Sequence, residues 1–309
     1  MKNSIIAGAA LALMSASSMA QVTLYGRVDL SIAQQADNVK DIEMRNGSGS
    51  RLGVRGVEDL GGGLSALFEL QHRFNANNGT QTNSTIFWEG RSVVGLSSGF
   101  GTVVLGREEN PAYTYGQIPA DPWGGDTVAS NGSIVNGRIG STRYSNSVNY
   151  KGQLGDLRFG AQMTEGNGLP NRPYSLGASY GAGALTVGLG YENPGNKDDD
   201  WLTLSGGYDF GAFKLLGLIG NGTNANGEKH QAWLLSATAP VGAGELRFSY
   251  GELKNKDLDL IADKQLALGY HYMLSKRTTL YADVVNESRD ALPSNFETTG
   301  WDFGVRHNF

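Results

Sequence analysis

No cysteine occurs among the 309 residues, so disulfides cannot hold this chain together and it is not a small stapled scaffold. Long hydrophobic runs are also missing beyond the first twenty residues. Mean hydropathy is −0.30, and no later segment approaches the roughly 20 apolar residues of a membrane-spanning helix. Charge of one sign never accumulates: the longest block is Asp198–Asp200. Acids outnumber bases by 30 to 25, which argues against a nucleic-acid partner. Convincing segments of helical period are few.

Glycine is what the chain has in excess. Its 45 residues are about twice the usual share of roughly 7%. The first twenty residues, MKNSIIAGAALALMSASSMA, stand apart from the rest. One basic residue, Lys2, precedes an apolar run from Ile5 to Met14, and the stretch closes on Ser18-Met19-Ala20. The apolar run is too short for a membrane anchor and ends in the small-x-small pattern that a signal peptidase cuts after. The expectation is a cleaved signal peptide over 1–20 and an exported chain over 21–309.

The rest of the chain alternates. VTLYGRVDLSI sets Val22, Leu24, Val28, Leu30 and Ile32 against Thr23, Tyr25, Arg27, Asp29 and Ser31. At the other end, TGWDFGVRHNF sets Trp301, Phe303, Val305 and Phe309 against Asp302, Gly304, Arg306 and Asn308. Successive side chains of a strand point to opposite faces, so each such segment reads as a strand with one apolar face. Sixteen of them are expected, at about 22–34, 50–58, 63–74, 86–98, 101–107, 138–150, 156–165, 174–182, 184–193, 200–210, 212–221, 229–240, 243–253, 263–274, 277–287 and 299–309. The GGGLSALFELQHRF stretch also admits an amphipathic helix, against which stand its three glycines and its strand-like neighbours.

Connection lengths alternate too. Tight turns such as KGQLG, GAGA and PVGAG are followed by longer polar stretches such as NANNGTQTN, NPGNKDDD and NKDLDLIA. Short-long alternation is the signature of an up-and-down antiparallel sheet, with turns on one rim and loops on the other. Sixteen strands in an open sheet would leave aggregation-prone edges, and closure removes them. A sixteen-stranded barrel is too wide for side chains to fill, so its apolar face must lie outside against lipid, around a polar, water-filled lumen. The fold expected is all-β: a 16-stranded antiparallel transmembrane β-barrel.

VTLYGRVDLS, GSRLGVRGVEDLGGGLSALFEL, RSVVGLSSGFGTVVLGRE and the terminal FGVRHNF together resemble the Gram-negative general porins, most closely those of beta-proteobacteria. The resemblance covers the whole chain after residue 20. It implies a passive diffusion channel of the outer membrane for ions and small hydrophilic solutes, with short turns on the periplasmic side and long external loops. It also implies a homotrimer in contact with outer-membrane lipids and lipopolysaccharide, and Phe309 as part of the signal read by the barrel-assembly machinery.

One connection breaks the length rule. Residues 108–137 contain EENPAYTYGQIPADPWGGDTVASNGSIVNG, and a loop that long is usually functional. The resemblance implies that this third loop folds into the barrel and narrows it. Related enteric porins carry Pro-Glu-Phe-Gly-Gly-Asp at its tip. Here DPWGGDT matches at Trp123, Gly124, Gly125 and Asp126, but Pro122 replaces the glutamate and Asp121 is the candidate substitute. Glu108 and Glu109 are further candidates, with a vestibule position as the alternative.

Matching strand by strand, the family's basic ladder falls on Arg27, Arg51 and Arg143, each in the polar set of its own strand. A fourth family position falls on Gly90, a departure that weakens the positive side, and Arg91 is expected to have the opposite parity. Arg55 and Arg73 share lumen parity and are expected to line the approach. Acids facing arginines across a narrow gap create a transverse field that favours small hydrated solutes. Because arginines outnumber acids at these positions, local wall charge favours anions.

Other functions are less well served. An enzyme needs a convergent constellation. Of the four histidines, His72, His271 and His307 alternate in register with apolar residues and so read as lipid- or interface-facing, and His230 stands beside a loop without an evident partner. No metal-binding helix motif, phosphate loop or nucleophile elbow is present, so no cofactor and no metal are expected. A substrate-specific channel would use an aromatic track, for which Tyr25, Tyr281 and Trp88 have lumen parity. An adhesive barrel would leave the long loop outside. The run Asp198–Asp200 reads as a solvated loop or as a divalent-cation site.

Overall fold

The computed structural model describes residues 21–36, 41–166, 168–290 and 298–309, so the expected signal peptide lies outside the described residues. Sixteen long strands form the wall: β1 Gln21–Gln34, β2 Ser50–Gly61, β3 Leu64–Asn75, β4 Ser92–Ser98, β5 Gly101–Glu109, β6 Arg143–Leu154, β7 Leu157–Thr164 and β8 Tyr174–Ala182. They continue as β9 Leu185–Asn193, β10 Asp200–Asp209, β11 Lys214–Thr223, β12 Lys229–Val241, β13 Gly244–Asn255, β14 Leu260–Met273, β15 Thr278–Ser288 and β16 Thr299–Asn308. Each pairs antiparallel with the next, and β16 pairs with β1 to close the barrel. Two short strands, Glu43–Arg45 and Thr80–Gln81, add to β1 and β3 on the long-loop side.

The alternation fixes which face is which. In β16, Phe303 is 58% exposed on the outer surface while its neighbour Asp302 is 2% exposed on the inside. Such an arrangement is stable only when the outer solvent is lipid. Closure uses the last residue: Phe309 exchanges backbone hydrogen bonds with Gly26, N to O at 3.1 and 2.9 Å. Its ring covers Gly26, where a side chain would collide with it.

Several boundaries differ from the sequence reading. The GGGLSALFELQHRF stretch is strand from Leu64, not helix. The strand expected at 86–98 begins at Ser92, because the Asn83 side chain accepts the backbone N–H groups of Thr85 and Ile86 and holds a turn there. The strand expected from 138 begins at Arg143, since Arg138 has φ of +57° and Gly140 N–H still bonds back to Asn136. β5 extends to Glu109, so the long connection runs 110–142 rather than 108–137, and Glu108 and Glu109 belong to the wall. The connection after β13 is only 256–259.

The lumen is not wholly polar. Leu218, Leu234, Leu253 and Trp201 point inward and are buried under Ala120, Ile134 and Val135 of the 110–142 loop. Ala267 and Val285 are buried in the same way under Trp123 and Ala129. The loop therefore lies inside the barrel because it covers apolar wall residues that water would otherwise reach.

Candidate constriction site

The loop enters flat against the wall. A helical turn over Ala112–Gln117 crosses β7, β8 and β9 where Gly160, Gly177 and Gly190 stand opposite one another in register. A side chain at Gly177 would overlap the Pro111 carbonyl, and one at Gly190 would come within 2.6 Å of the Ala112 carbonyl. The glycine row makes the groove, which assigns part of the glycine excess to this contact rather than to turns.

After a tight turn over Ile118–Ala120 the chain reaches Asp121, which forms no ion pair with an arginine among the described residues. Its carboxylate is buried and accepts from Trp123 N (3.1 Å), Gly125 N (2.9 Å), Asn131 N (3.3 Å) and Asn131 Nδ2 (2.9 Å). Burial pushes its pKa up and these donors pull against that. Asp121 knots the loop tip. The next residues anchor it: Trp123 Nε1–H donates to Asp283 Oδ1 at 2.7 Å, and Val128 N–H to Asp302 at 3.3 Å. Asp126 then projects into the lumen and meets Arg27 Nη1 at 3.2 Å.

Opposite the tip, Arg27, Arg51 and Arg73 are cross-strand partners at one height on β1, β2 and β3. Arg27 also donates to Asn308 Oδ1 (2.8 Å) and Ser48 Oγ (3.0 Å), and Arg51 to the Gly49 carbonyl (3.0 Å). Arg143 extends the group and pairs with Glu109. Arg306 projects from β16 into the field around Arg27 and Asp126. Among the described residues no carboxylate lies within 4.0 Å of the guanidinium of Arg51, Arg73 or Arg306. Burial raises the pKa of Asp126, and Arg27, Arg51 and Arg306 oppose that rise.

The other expected residues are placed differently. Glu108 is 1% exposed and is taken up by Arg91 (2.5 Å) and Lys151 (3.1 Å). An irregularity between Gly106 and Glu108 turns this end of β5. Arg91 points inward to Glu69 and Glu108, because 86–91 is not strand and no parity carries through Gly90. Gly90 is backed by the Gln71 side chain, which fills the space a residue there would need. Arg73 stands in the ladder rather than on the approach, whereas Arg55 lies over the Tyr25 ring at 5.1 Å.

His271 is buried inside, with Nε2 3.1 Å from Asp283 Oδ1, and not on the lipid face. His230 Nδ1 meets the Gly137 carbonyl at 3.0 Å, so it has a partner. Tyr281 is buried on Asp29, and Trp88 packs outside against Phe87 and His72, so the three aromatic candidates form no track. Asp199 accepts from Asn196 N and Nδ2, and Asp200 from Thr223 N, so the acid run serves separate backbone turns.

Sequence reading missed Arg306, Arg91, the Trp123–Asp283 tether and the lumen-facing leucines. Arg306 was visible as a polar-set residue of the last strand, but its height was not. Two of the leucines had a signal in the doubled Leu218-Ile219 and Leu234-Leu235, which put an apolar residue on both faces.

A family model for Gram-negative porins matches residues 7–292. Outer membrane porin protein 32 of Delftia acidovorans is 32% identical over the full length of both chains. An outer membrane porin protein of Bordetella pertussis is 28% identical, again over both full lengths. The anion-selective porin from Comamonas acidovorans, a solved structure, superposes with a TM-score of 0.83 at 29% identity, covering 94% of this chain and 100% of that one. OmpT of Vibrio cholerae in its trimer form shares the fold, with a TM-score of 0.73 at 14% identity over 94% of this chain and 99% of that one.

Proposed function

Because the chain belongs to the Gram-negative porin family and is a diffusion channel of the outer membrane, we propose that it filters ions and small hydrophilic solutes by charge at an eyelet between the 110–142 loop and β1–β3. Asp126 is the loop acid of this eyelet. Arg27, Arg51, Arg73, Arg143 and Arg306 are its basic wall. The observation that carries this reading is the imbalance of charge: the Asp126 carboxylate of the 110–142 loop stands before a guanidinium group of which three members, among the described residues, have no carboxylate within 4.0 Å. Positive potential focused in a narrow, low-dielectric passage raises the local concentration of anions, so the channel prefers them. The Comamonas neighbour is described as anion-selective, which agrees.

The same reading takes residues 1–20 as a cleaved signal peptide and the barrel as a homotrimer seated in outer-membrane lipid and lipopolysaccharide. It also takes Phe309 as part of the signal recognised by the assembly machinery. The relatives named are porins, and no enzymatic role is proposed. The test is the zero-current potential of the purified protein in a planar bilayer under a salt gradient. Ohmic steps in threes with a potential of anionic sign support the proposal. A correctly folded but silent barrel, or a cationic sign, overturns it.

A further inference from the structure

Behind the loop stems lies a carboxylate that the charge filter does not use. Glu192, on β9, is 0% exposed, and no Lys, Arg or His nitrogen lies within 4.0 Å of it among the described residues. Its two oxygens are instead surrounded by donors. Asn110 Nδ2–H donates to Oε2, Gln117 Nε2–H to Oε1 at 2.9 Å, Ser141 N–H to Oε2 at 3.2 Å and Tyr144 O–H to Oε2 at 3.3 Å.

Those donors come from both ends of the constriction loop. Asn110 and Gln117 belong to the entering stem, Ser141 to the returning one, and Tyr144 to the strand that follows. The stems also meet directly, through Asn110 Nδ2 to the Ser141 carbonyl at 2.6 Å and Asn110 N to the Thr142 carbonyl at 3.0 Å. Asn110 Oδ1 accepts from Ser175 Oγ at 2.6 Å, and Ser175 Oγ accepts from Ala112 N at 2.9 Å, which ties the same stem to β8. On the loop side, Gly140 leaves room for Glu192, since a side chain there would overlap Oε1.

A buried carboxylate without a counter-ion is costly unless several donors satisfy it. The Asn110 amide is fixed as a donor because its Oδ1 already accepts from Ser175 Oγ and Tyr113 N, and the Ser141 N–H can only donate, whereas the Gln117 amide and the Tyr144 hydroxyl can turn to accept. We infer that Glu192 is the positioning residue that clamps both stems of the 110–142 loop to the barrel wall and thereby sets where Asp126 stands before the arginines. This rests on the reading of that loop as the constriction. A glutamine at 192 keeps one acceptor oxygen in place of two and gives up the charge, so it weakens the clamp although its size is conserved, and alanine removes it.

The test compares wild type, Glu192→Gln and Glu192→Ala as full-length protein in planar bilayers, after heat-modifiable electrophoresis has selected folded barrels. Both variants are expected to lose the steady open level, to fluctuate among sublevels, and to shift the zero-current potential in a salt gradient. Thr203→Val, on the neighbouring strand, is expected to leave both readouts unchanged. A residue that only stabilises the barrel would lower the unfolding temperature and leave the zero-current potential of folded channels alone. Folded Glu192 variants with wild-type level and potential therefore overturn the inference. If neither Glu192 variant folds, Gly140→Ala presses on the same carboxylate from the loop side, and an unchanged potential there overturns it as well. A silent wild type overturns the constriction reading itself, an outcome distinct from conducting variants that match wild type.

Discussion

Trp123 Nε1–H donates to Asp283 Oδ1 at 2.7 Å, and this bond ties the tip of a loop that starts on β5 and ends on β6 to a strand on the far side of the barrel. The indole is buried against Ala267 and Val285, so the contact is both apolar and polar. It pins the loop tip to the wall it lies along, with Asp126 three residues beyond the tether.

Trp123→Phe keeps most of the apolar contact and deletes the N–H, leaving Asp283 with His271. Loss of a hydrogen bond to a charged group costs about 1.5–3 kcal/mol. The expected result is a folded barrel with a noisier and larger conductance, read in single-channel recordings. An unaltered open level would show that the tether does not hold the tip.

Asp126→Asn removes the carboxylate that the 110–142 loop sets against Arg27. Anion preference should rise, seen as a larger zero-current potential in a salt gradient. Partly solvated ion pairs contribute up to about 1 kcal/mol, so the unfolding temperature should hardly move.

Acidification should act through the same residue. Burial raises the pKa of Asp126 above the ordinary carboxylate value, so as pH falls it takes up its proton earlier than a free carboxylate would. Protonation removes one negative charge and leaves every arginine charged. Anion preference should therefore grow as pH is lowered from neutral, and the Asp126→Asn channel should lack that increment. Reversal potentials measured across a pH series decide it.

Arg51→Ser with Arg73→Ser removes two guanidiniums that have no carboxylate within 4.0 Å among the described residues. Anion preference should fall or reverse, most clearly at low ionic strength, because the Debye length is about 10 Å at 0.1 M salt and about 30 Å at 0.01 M. Equal preference at both salt concentrations would count against a wall-charge mechanism.

Gly177→Leu tests the groove. Its side chain would occupy the place of the Pro111 carbonyl, so the helical turn over Ala112–Gln117 must lift from the wall. Overpacking of this kind costs about 1–3 kcal/mol. Altered protease accessibility of the loop in an intact barrel is the expected readout.

How far the residues alone reach is clearest on β16. Trp301, Phe303 and Val305 against Asp302, Gly304 and Arg306 gave the strand, its lipid face and, repeated sixteen times, the barrel. Period-two alternation is local and survives any tertiary arrangement, which is why strand number and facing could be read directly. The lumen parity of Arg27, Arg51 and Arg143 could be read for the same reason.

Height and depth could not be read in that way. That Arg73 stands level with Arg51, and Arg306 near Arg27, follows from register between strands far apart in sequence, which parity does not encode. Asp121 and Asp126 looked alike as loop acids, yet one is enclosed by backbone N–H groups and the other faces a guanidinium. The loop's fold inside the barrel made that division, together with the inward leucines and the glycine row that receive it. The sequence by itself determined the barrel and its two faces, because alternation is a property of single strands. Only the tertiary structure decided which charges meet across the lumen, because that depends on how the strands are staggered and on what the loop covers.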